Sequence, residues 1–197
     1  MRGQAYTLEA VIASLLLVSS LVFALQVTAV TPLSASTSNQ HIENQQRASA
    51  SGVLTAAQEA GVLKDAVLYW NDSADAEKYF NVTHDAEQLT YYTNSYPPNE
   101  FGNITERAFD GRGLAVNVLI HYNESKEPSR MVYRGEPSDN AVSASRTVTI
   151  YNGSELAAPG TSTTVENATS FDKIVPYDGT GGTVYNVVRV EVTVWRM

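Results

Sequence analysis

The fold of this chain is decided by the stretch AVIASLLLVSSLVFALQVTAV, residues Ala10–Val30. It carries no charged residue, and a helix of this length measures roughly 31 Å at about 1.5 Å of rise per residue. That length matches the hydrocarbon core of a bilayer. The serine and threonine hydroxyls can bond to the preceding helical turn and so do not oppose insertion. We therefore predict a transmembrane helix over residues 4–31.

The charges that flank this stretch predict its orientation. Arg2 and the initial amino group precede it, and after Glu9 the next charged residue is Glu43. Because positive flanks stay in the cytoplasm, we expect a single-pass protein of the cell membrane, in contact with membrane lipid, whose C-terminal domain is extracellular. A cleaved secretory signal is the competing interpretation, although the apolar part of such a signal is usually only about 7–15 residues long.

The remainder of the chain has the composition of a globular domain. Of the 197 residues, 43% are hydrophobic, which is too many for a disordered chain and too few for a multi-span membrane protein. The formal net charge of −8 argues against nucleic acid as a partner, because phosphate binding needs clustered Lys and Arg. The absence of cysteine excludes disulfides and thiolate chemistry.

Residues 32–63 are predicted to connect the apolar helix to the domain. Pro32 should kink or end the helix, and residues 34–39 are small and polar, as in a short linker or helix cap. From about Gln40 to Leu63, apolar residues recur every three or four positions, which indicates a second, amphipathic helix near the membrane. Such a helix can pack on its own domain alone or also line a filament core.

Beyond Leu63 the hydrophobic period changes towards two, which is typical of strands. The expected strands are Ala66–Trp70, Gly113–Tyr122, Met131–Tyr133, Arg146–Tyr151 and Thr183–Trp195. The last is the clearest, because its valines alternate with polar or small neighbours. The predicted fold class is α+β: a long N-terminal transmembrane helix followed by a mostly antiparallel, β-rich extracellular domain over residues 64–197.

Six Asn-x-Ser/Thr sequons lie after the apolar stretch and are candidate N-glycosylation sites. They begin at Asn71, Asn81, Asn103, Asn123, Asn152 and Asn167. Glycosylation needs exposed asparagines in loops, and most of these lie beside turn residues. Some sequons arise by chance in a chain rich in Ser and Thr, and Asn152-Gly153 also has a structural reason as a turn.

No motif in the chain predicts catalysis, so we expect it not to be an enzyme and to hold no metal or cofactor. His41, His84 and His121 are far apart in the sequence, and the cluster of Asp72, Asp75 and Glu77 lacks the spacing of a calcium loop. Tyr91, Tyr92 and Tyr96 lie close together beside Pro97-Pro98. These tyrosines could form an exposed contact surface or fill the core of the sheet, and the sequence favours the two interpretations about equally.

The N-terminal residues RGQAYTLE, Arg2–Glu9, followed by the apolar helix, resemble the leader and helix start of archaeal type IV pilins and pilin-like proteins. The whole chain also resembles uncharacterised pilin-like surface proteins of halophilic archaea. The resemblance implies a leader over residues 1–3, cut by a prepilin-type peptidase between Gly3 and Gln4. It also implies that Glu9 pairs with the free amino group of a neighbouring subunit. Glu9 is then the sixth mature residue, whereas the family usually has its Glu at the fifth.

Glu9 has a simpler interpretation as an interfacial carboxylate at a helix N-terminus, where the helix dipole favours negative charge. With the resemblance, the sequence predicts a surface-exposed, pilin-like structural subunit, a minor pilin or pseudopilin. It would assemble through its N-terminal helix with itself or with other pilin-like subunits. The alternative is a single-pass surface binding module that does not polymerise.

Overall fold

The structure is a computed structural model that describes residues 2–72, 90–92, 95–123, 126–179 and 181–197. The chain divides into two compact units, Met1–Asn44 and Gln45–Met197. The second unit therefore begins earlier than residue 64, because it includes the end of the first helix. Within the described residues, the elements form an α+β fold, as predicted.

Helix α1 spans Arg2–Glu59 without interruption. The expected helix stop at Pro32 and the linker at residues 34–39 are therefore absent, since the backbone there is helical. A proline inside a helix removes one backbone hydrogen bond and destabilises the helix by about 3 kcal/mol. Each helical residue after the proline forms a further backbone hydrogen bond, which offsets this cost. The helix ends where Gly61 adopts a left-handed φ of 77° and its amide donates to the Gln58 carbonyl at 3.1 Å.

A short helix, α2, follows at Val62–Val67 and buries Leu63, Ala66 and Val67. The predicted strand at Ala66–Trp70 is therefore wrong. A short run of apolar residues has no period that separates a strand from a buried helical turn, and here the run belongs to the core. After α2 the chain is irregular, and the Trp70 indole Nε1 donates to Ser170 Oγ at 3.0 Å.

Among the described residues, five strands form one sheet in the order β1-β3-β2-β5-β4. Their bounds are β1 Thr90–Tyr92, β2 Leu114–His121, β3 Ser129–Val132, β4 Val142–Tyr151 and β5 Val184–Arg196. The pairs β3–β2, β2–β5 and β5–β4 are antiparallel, whereas β1 runs parallel to β3. The prediction of a mostly antiparallel sheet is confirmed, and four of the five expected strands lie within a few residues of observed ones.

One face of the sheet carries the core. Cross-strand pairs on this face are Val116–Val194, Val118–Val192 and Ile120–Val190. These residues form one buried cluster with Leu54 of α1 and with aromatic side chains from Glu100–Phe109, which is helix α3. The amphipathic pattern of the sequence thus correctly identified the end of α1 as a helix with a buried face.

Helix α3 was not predicted from the sequence. Asn99 caps it, since its Oδ1 accepts from the Gly102 amide at 2.9 Å. A Cβ atom at Gly102 would lie 1.8 Å from the Pro97 carbonyl oxygen, so only glycine fits there. Pro97-Pro98 therefore leads into a helix rather than into a longer loop.

Candidate membrane-spanning helix and modification sites

The N-terminal part of α1 is long and apolar enough to cross a membrane between Tyr6 and Gln26, a run of 21 residues. Its large apolar side chains are exposed on every side, from 47% at Val22 to 71% at Tyr6. None of this run is buried, so it is not a core helix of the chain. A helix that is hydrophobic all round needs an apolar environment from outside the chain.

Two of the three serine hydroxyls in this run, those of Ser14 and Ser20, bond within the helix. Ser14 Oγ donates to the Val11 carbonyl at 2.8 Å, and Ser20 Oγ donates to the Leu17 carbonyl at 2.9 Å. Because a polar group without a partner is expensive in lipid, these bonds remove the main objection to placing serines in a bilayer.

Glu9 is exposed on α1, and no Lys, Arg or His lies between Tyr6 and Gln26 to neutralise it. The helix begins at Arg2, so Glu9 lies beyond the first turn. The field of the helix dipole falls off within that turn. The dipole therefore does not account for Glu9, and its carboxylate still needs a positive partner or contact with water.

Gly3 and Gln4 lie in the first turn of α1. The amide groups of a first turn have no hydrogen-bond partner inside the helix. Unwinding this turn breaks few hydrogen bonds and costs little free energy. Helical structure at Gly3 and Gln4 therefore does not oppose access by a peptidase.

The candidate N-glycosylation sites differ in their surroundings. Asn103, Asn123 and Asn167 are exposed, Asn71 and Asn152 are half-buried, and Asn81 lies outside the described residues. Asn167 ends a short 3-10 helix, Val165–Asn167, and its Nδ2 donates to Thr164 Oγ1 at 2.7 Å. Asn123 and Asn167 thus best match the expectation of exposed sites outside regular helices and strands.

Asn103 departs from that expectation, because it lies in α3 rather than in a loop. The third residue of its sequon, Thr105, is buried, and its hydroxyl donates to the Phe101 carbonyl at 2.7 Å. A transferase that needs the hydroxyl has no access to it in the folded domain. This sequon can be used only before α3 folds.

A family model matches residues 2–194, which is nearly the whole chain. The chain belongs to the DUF7288 family, a family of unknown function. No curated protein and no solved structure matches it significantly. The match includes both the apolar part of α1 and the sheet, so the family unit of this DUF7288 protein contains both.

The DUF7288 chain has no group of three or more His, Asp or Glu that could hold a metal among its described residues. His41 is exposed on α1, and His84 lies outside the described part. His121 Nε2 lies 3.0 Å from Glu191 Oε2 on the outer face of the sheet. Burial and the nearby Arg189 lower the pKa of His121 below its ordinary value, and they outweigh the opposite effect of Glu191.

Asp72 has a structural role that the acidic cluster in the sequence did not predict. The other two members of that cluster, Asp75 and Glu77, lie outside the described residues. The Asp72 carboxylate accepts four hydrogen bonds of 2.7–3.1 Å from the amides and hydroxyls of Thr169 and Ser170. Partial burial pushes the pKa of Asp72 upward, but these bonds outweigh burial and hold the pKa below its ordinary value. Asp72 therefore ties the segment after α2 to the segment before β5.

Two tyrosines of the 91–96 cluster belong to the core, because Tyr92 and Tyr96 are buried. The Tyr96 hydroxyl donates to Asp110 Oδ1 at 3.0 Å, and Arg134 Nη1 donates to the same oxygen at 3.2 Å. The Arg134 guanidinium also lies 4.6 Å from the centre of the Tyr96 ring. For these two residues the core interpretation holds, and the Tyr91 side chain lies outside the described part.

Proposed function

We propose that this DUF7288 protein is a membrane-anchored, pilin-like structural subunit that assembles through its N-terminal helix and presents its sheet domain outside the cell. The observation that carries the proposal is the fully exposed apolar run of α1, with a single carboxylate at Glu9. Lipid alone is enough to cover the apolar side chains. It does not explain the carboxylate.

Glu9 supports assembly because an isolated carboxylate is expensive in a membrane. An amine and a carboxylate are each costly alone in low dielectric, and each is tolerated when the two are paired. Removal of Met1–Gly3 would free the amino group of Gln4 close to this depth of the membrane. A neighbouring copy can then supply the positive charge that residues 6–26 lack.

The flanking charges support a cytoplasmic N-terminus, as the positive-inside rule requires, and hence an extracellular domain. The exposed asparagines Asn123 and Asn167 and the net charge of −8 fit an outer location. The partners implied are membrane lipid, a prepilin-type peptidase and other pilin-like subunits.

The first test is the intact mass of the protein purified from membranes of its native cell. We expect a mass that lacks Met1–Gly3. A retained N-terminus would contradict the pilin-like proposal, and loss of the whole apolar run would identify a secretory signal instead.

The second test is cross-linking between copies in the membrane. Because the chain has no cysteine, a Leu15→Cys substitution on the exposed apolar surface introduces the only thiol. Oxidation should give disulfide-linked dimers, and adding Glu9→Gln should reduce their yield without changing membrane insertion. Glu59→Gln is the matched control, since it makes the same change at an exposed position of the same helix. Equal yields in both variants would refute the pairing role of Glu9.

A surface binding module that does not polymerise is the second candidate function. A cavity of about 350 Å³ between loops of the sheet domain favours it. Absence of cross-linked dimers together with an uncut N-terminus would support this alternative over the first.

A further inference from the structure

The cavity lies between the turn that follows β4 and the loops that precede β5. Its volume of about 350 Å³ is at the lower end of the range of small-ligand sites. The side chains that define its chemistry are Asn152, Glu166, Asp172, Tyr177 and Tyr185. It is distinct from the apolar part of α1.

Two tyrosines give the cavity an aromatic wall. The rings of Tyr177 and Tyr185 lie 5.4 Å apart between centroids at an angle of 48°. Tyr185 is buried, whereas Tyr177 is 45% exposed. The Tyr177 hydroxyl accepts a hydrogen bond from the Gly181 amide at 3.0 Å, which fixes the ring in place. An exposed ring held rigidly in this way is a preorganised contact surface.

Asn152 contributes an acceptor that has no donor. Its amide donates to the Thr183 carbonyl at 2.9 Å, its carbonyl accepts from the Glu166 amide at 3.1 Å, and its Nδ2 donates to the Gly182 carbonyl at 2.9 Å. The remaining atom, Oδ1, is buried, and no donor among the described residues reaches it. A buried acceptor without a partner is unusual, and it belongs to a residue that lines the cavity.

The carboxylates of Glu166 and Asp172 give the cavity a negative charge. Both side chains are exposed at its rim, and none of the described lining residues is Lys or Arg. Burial, with a smaller contribution from Asp172, raises the pKa of Tyr185 to about 12, so its hydroxyl stays protonated at neutral pH. The two charged residues in the described lining of the cavity, Glu166 and Asp172, are therefore both negative.

We propose that this cavity binds a cationic group, the guanidinium or ammonium of a small amine or of a basic side chain. All residues that line the cavity lie in the second unit, so the site does not rest on the proposed assembly through α1. Carboxylates at the rim supply charge-assisted hydrogen bonds to such a group. The exposed face of Tyr177 attracts the same cation through its ring electrons.

The experiment is calorimetric titration of the full chain in phosphatidylcholine nanodiscs at low ionic strength. The probes are agmatine, a free small amine, and the capped peptide acetyl-Gly-Arg-Gly-amide. The matched control probe is acetyl-Gly-citrulline-Gly-amide, which has the same shape but a neutral urea group. We expect saturable binding of agmatine or of the arginine peptide, and binding of the citrulline peptide at least about tenfold weaker. Binding of agmatine alone identifies a small amine, and binding of the peptide alone identifies a basic side chain.

The protein variants for this titration are Asp172→Asn, Glu166→Gln and Tyr177→Leu. Each should weaken binding of the cationic probe, by about tenfold for each lost carboxylate. Asp139→Asn is the control, because it removes an exposed carboxylate that does not line the cavity. A thermal melt of each variant verifies that the domain is folded. Equal affinity for the arginine and citrulline peptides, an equal loss in Asp139→Asn, or no saturation by about 10 mM probe would each overturn the proposal.

Discussion

The two parts of helix α1 differ in what they do with their apolar side chains. Between Tyr6 and Gln26 the large Leu, Val, Ile and Phe side chains are all exposed. Between Gln46 and Ala57 the apolar residues are mostly small, and one stripe of them is buried in the domain core. The same helix thus contains one part that depends on an outside environment and one part that is stabilised by its own domain.

The spacing of the buried residues explains the difference. Gln46, Ala50, Val53, Leu54 and Ala57 lie three or four positions apart, with one adjacent pair, so they form a single face. In the N-terminal part, apolar residues occupy every face. A one-sided stripe can be covered by a sheet, but an all-round surface can be covered only by lipid or by several neighbours.

The largest effect that tests this contrast is on the free energy of unfolding of the domain. Leu54→Ala removes a fully buried side chain and should lower that free energy by about 2–5 kcal/mol. Leu16→Ala, the same change at an exposed position of the same helix, should change it by less than about 0.5 kcal/mol.

Denaturant unfolding followed by tryptophan fluorescence measures both variants. The two tryptophans of the chain, Trp70 and Trp195, are buried in the second unit and report on the domain alone. A comparable decrease in the free energy of unfolding of Leu16→Ala would contradict the proposed difference between the two parts of α1.

A smaller effect is expected from the hydroxyl groups of the helix. Thr55 Oγ1 accepts from Arg146 Nη2 of β4 at 2.8 Å and so joins α1 to the sheet. Thr55→Ala should destabilise the domain by about 1 kcal/mol, because the guanidinium loses an acceptor. The Ser14 hydroxyl bonds only within its own helix, so Ser14→Ala should leave domain stability unchanged. The same unfolding measurement applies, and equal effects in the two variants would show that Arg146 does not depend on Thr55.

The smallest effect is a dependence on pH that belongs to the domain only. The pKa of Asp72 is lower in the folded state than in the unfolded state, so its stabilisation is complete above about pH 4 and is lost as the pH falls through the lowered pKa. The unfolding midpoint should therefore decrease between about pH 4 and pH 2.

Asp72→Asn should remove part of that dependence and lower stability at neutral pH, because the amide replaces one accepting oxygen with a donor. Asp139→Asn is the control, since Asp139 is exposed and lies in another loop. Residues 10–26 contain no titratable side chain, so the helical content of this isolated segment in bilayers, followed by circular dichroism, should not change over this range. An unaltered pH profile in Asp72→Asn would rule out this role for the carboxylate.

The sequence predicted those elements whose pattern is local. The alternating valines of β5 and the uncharged run of α1 each carry a clear period or length, and the structure has a strand and a helix there, respectively. Helix α3 has only ten residues. Its N-cap residue, Asn99, directly follows Pro97-Pro98, which indicated a loop rather than the start of a helix. The run Ala66–Trp70 had no period of its own, so tertiary packing decided that part of it is helical.

The site residues divide in the same way. Glu9 and the six sequons could be predicted as candidate sites because each belongs to a local motif. The bonds from Ser170 to Asp72 join residues 98 positions apart, and the cavity draws Asn152 and Tyr185 together from separate segments. No local pattern encodes such contacts, since they depend on how β4 and β5 pair.

The place of β5 in the sheet sets the order of events when the protein is made. It lies between β2 and β4, yet it is synthesised after both. Neither of those strands finds its long antiparallel partner until residue 196 has emerged, so most of the sheet forms late and through contacts distant in sequence. In the proposed topology, a chain whose first helix is already in the membrane would present an unfinished domain for most of its export. Such a domain can be threaded across a bilayer before it becomes too compact to pass.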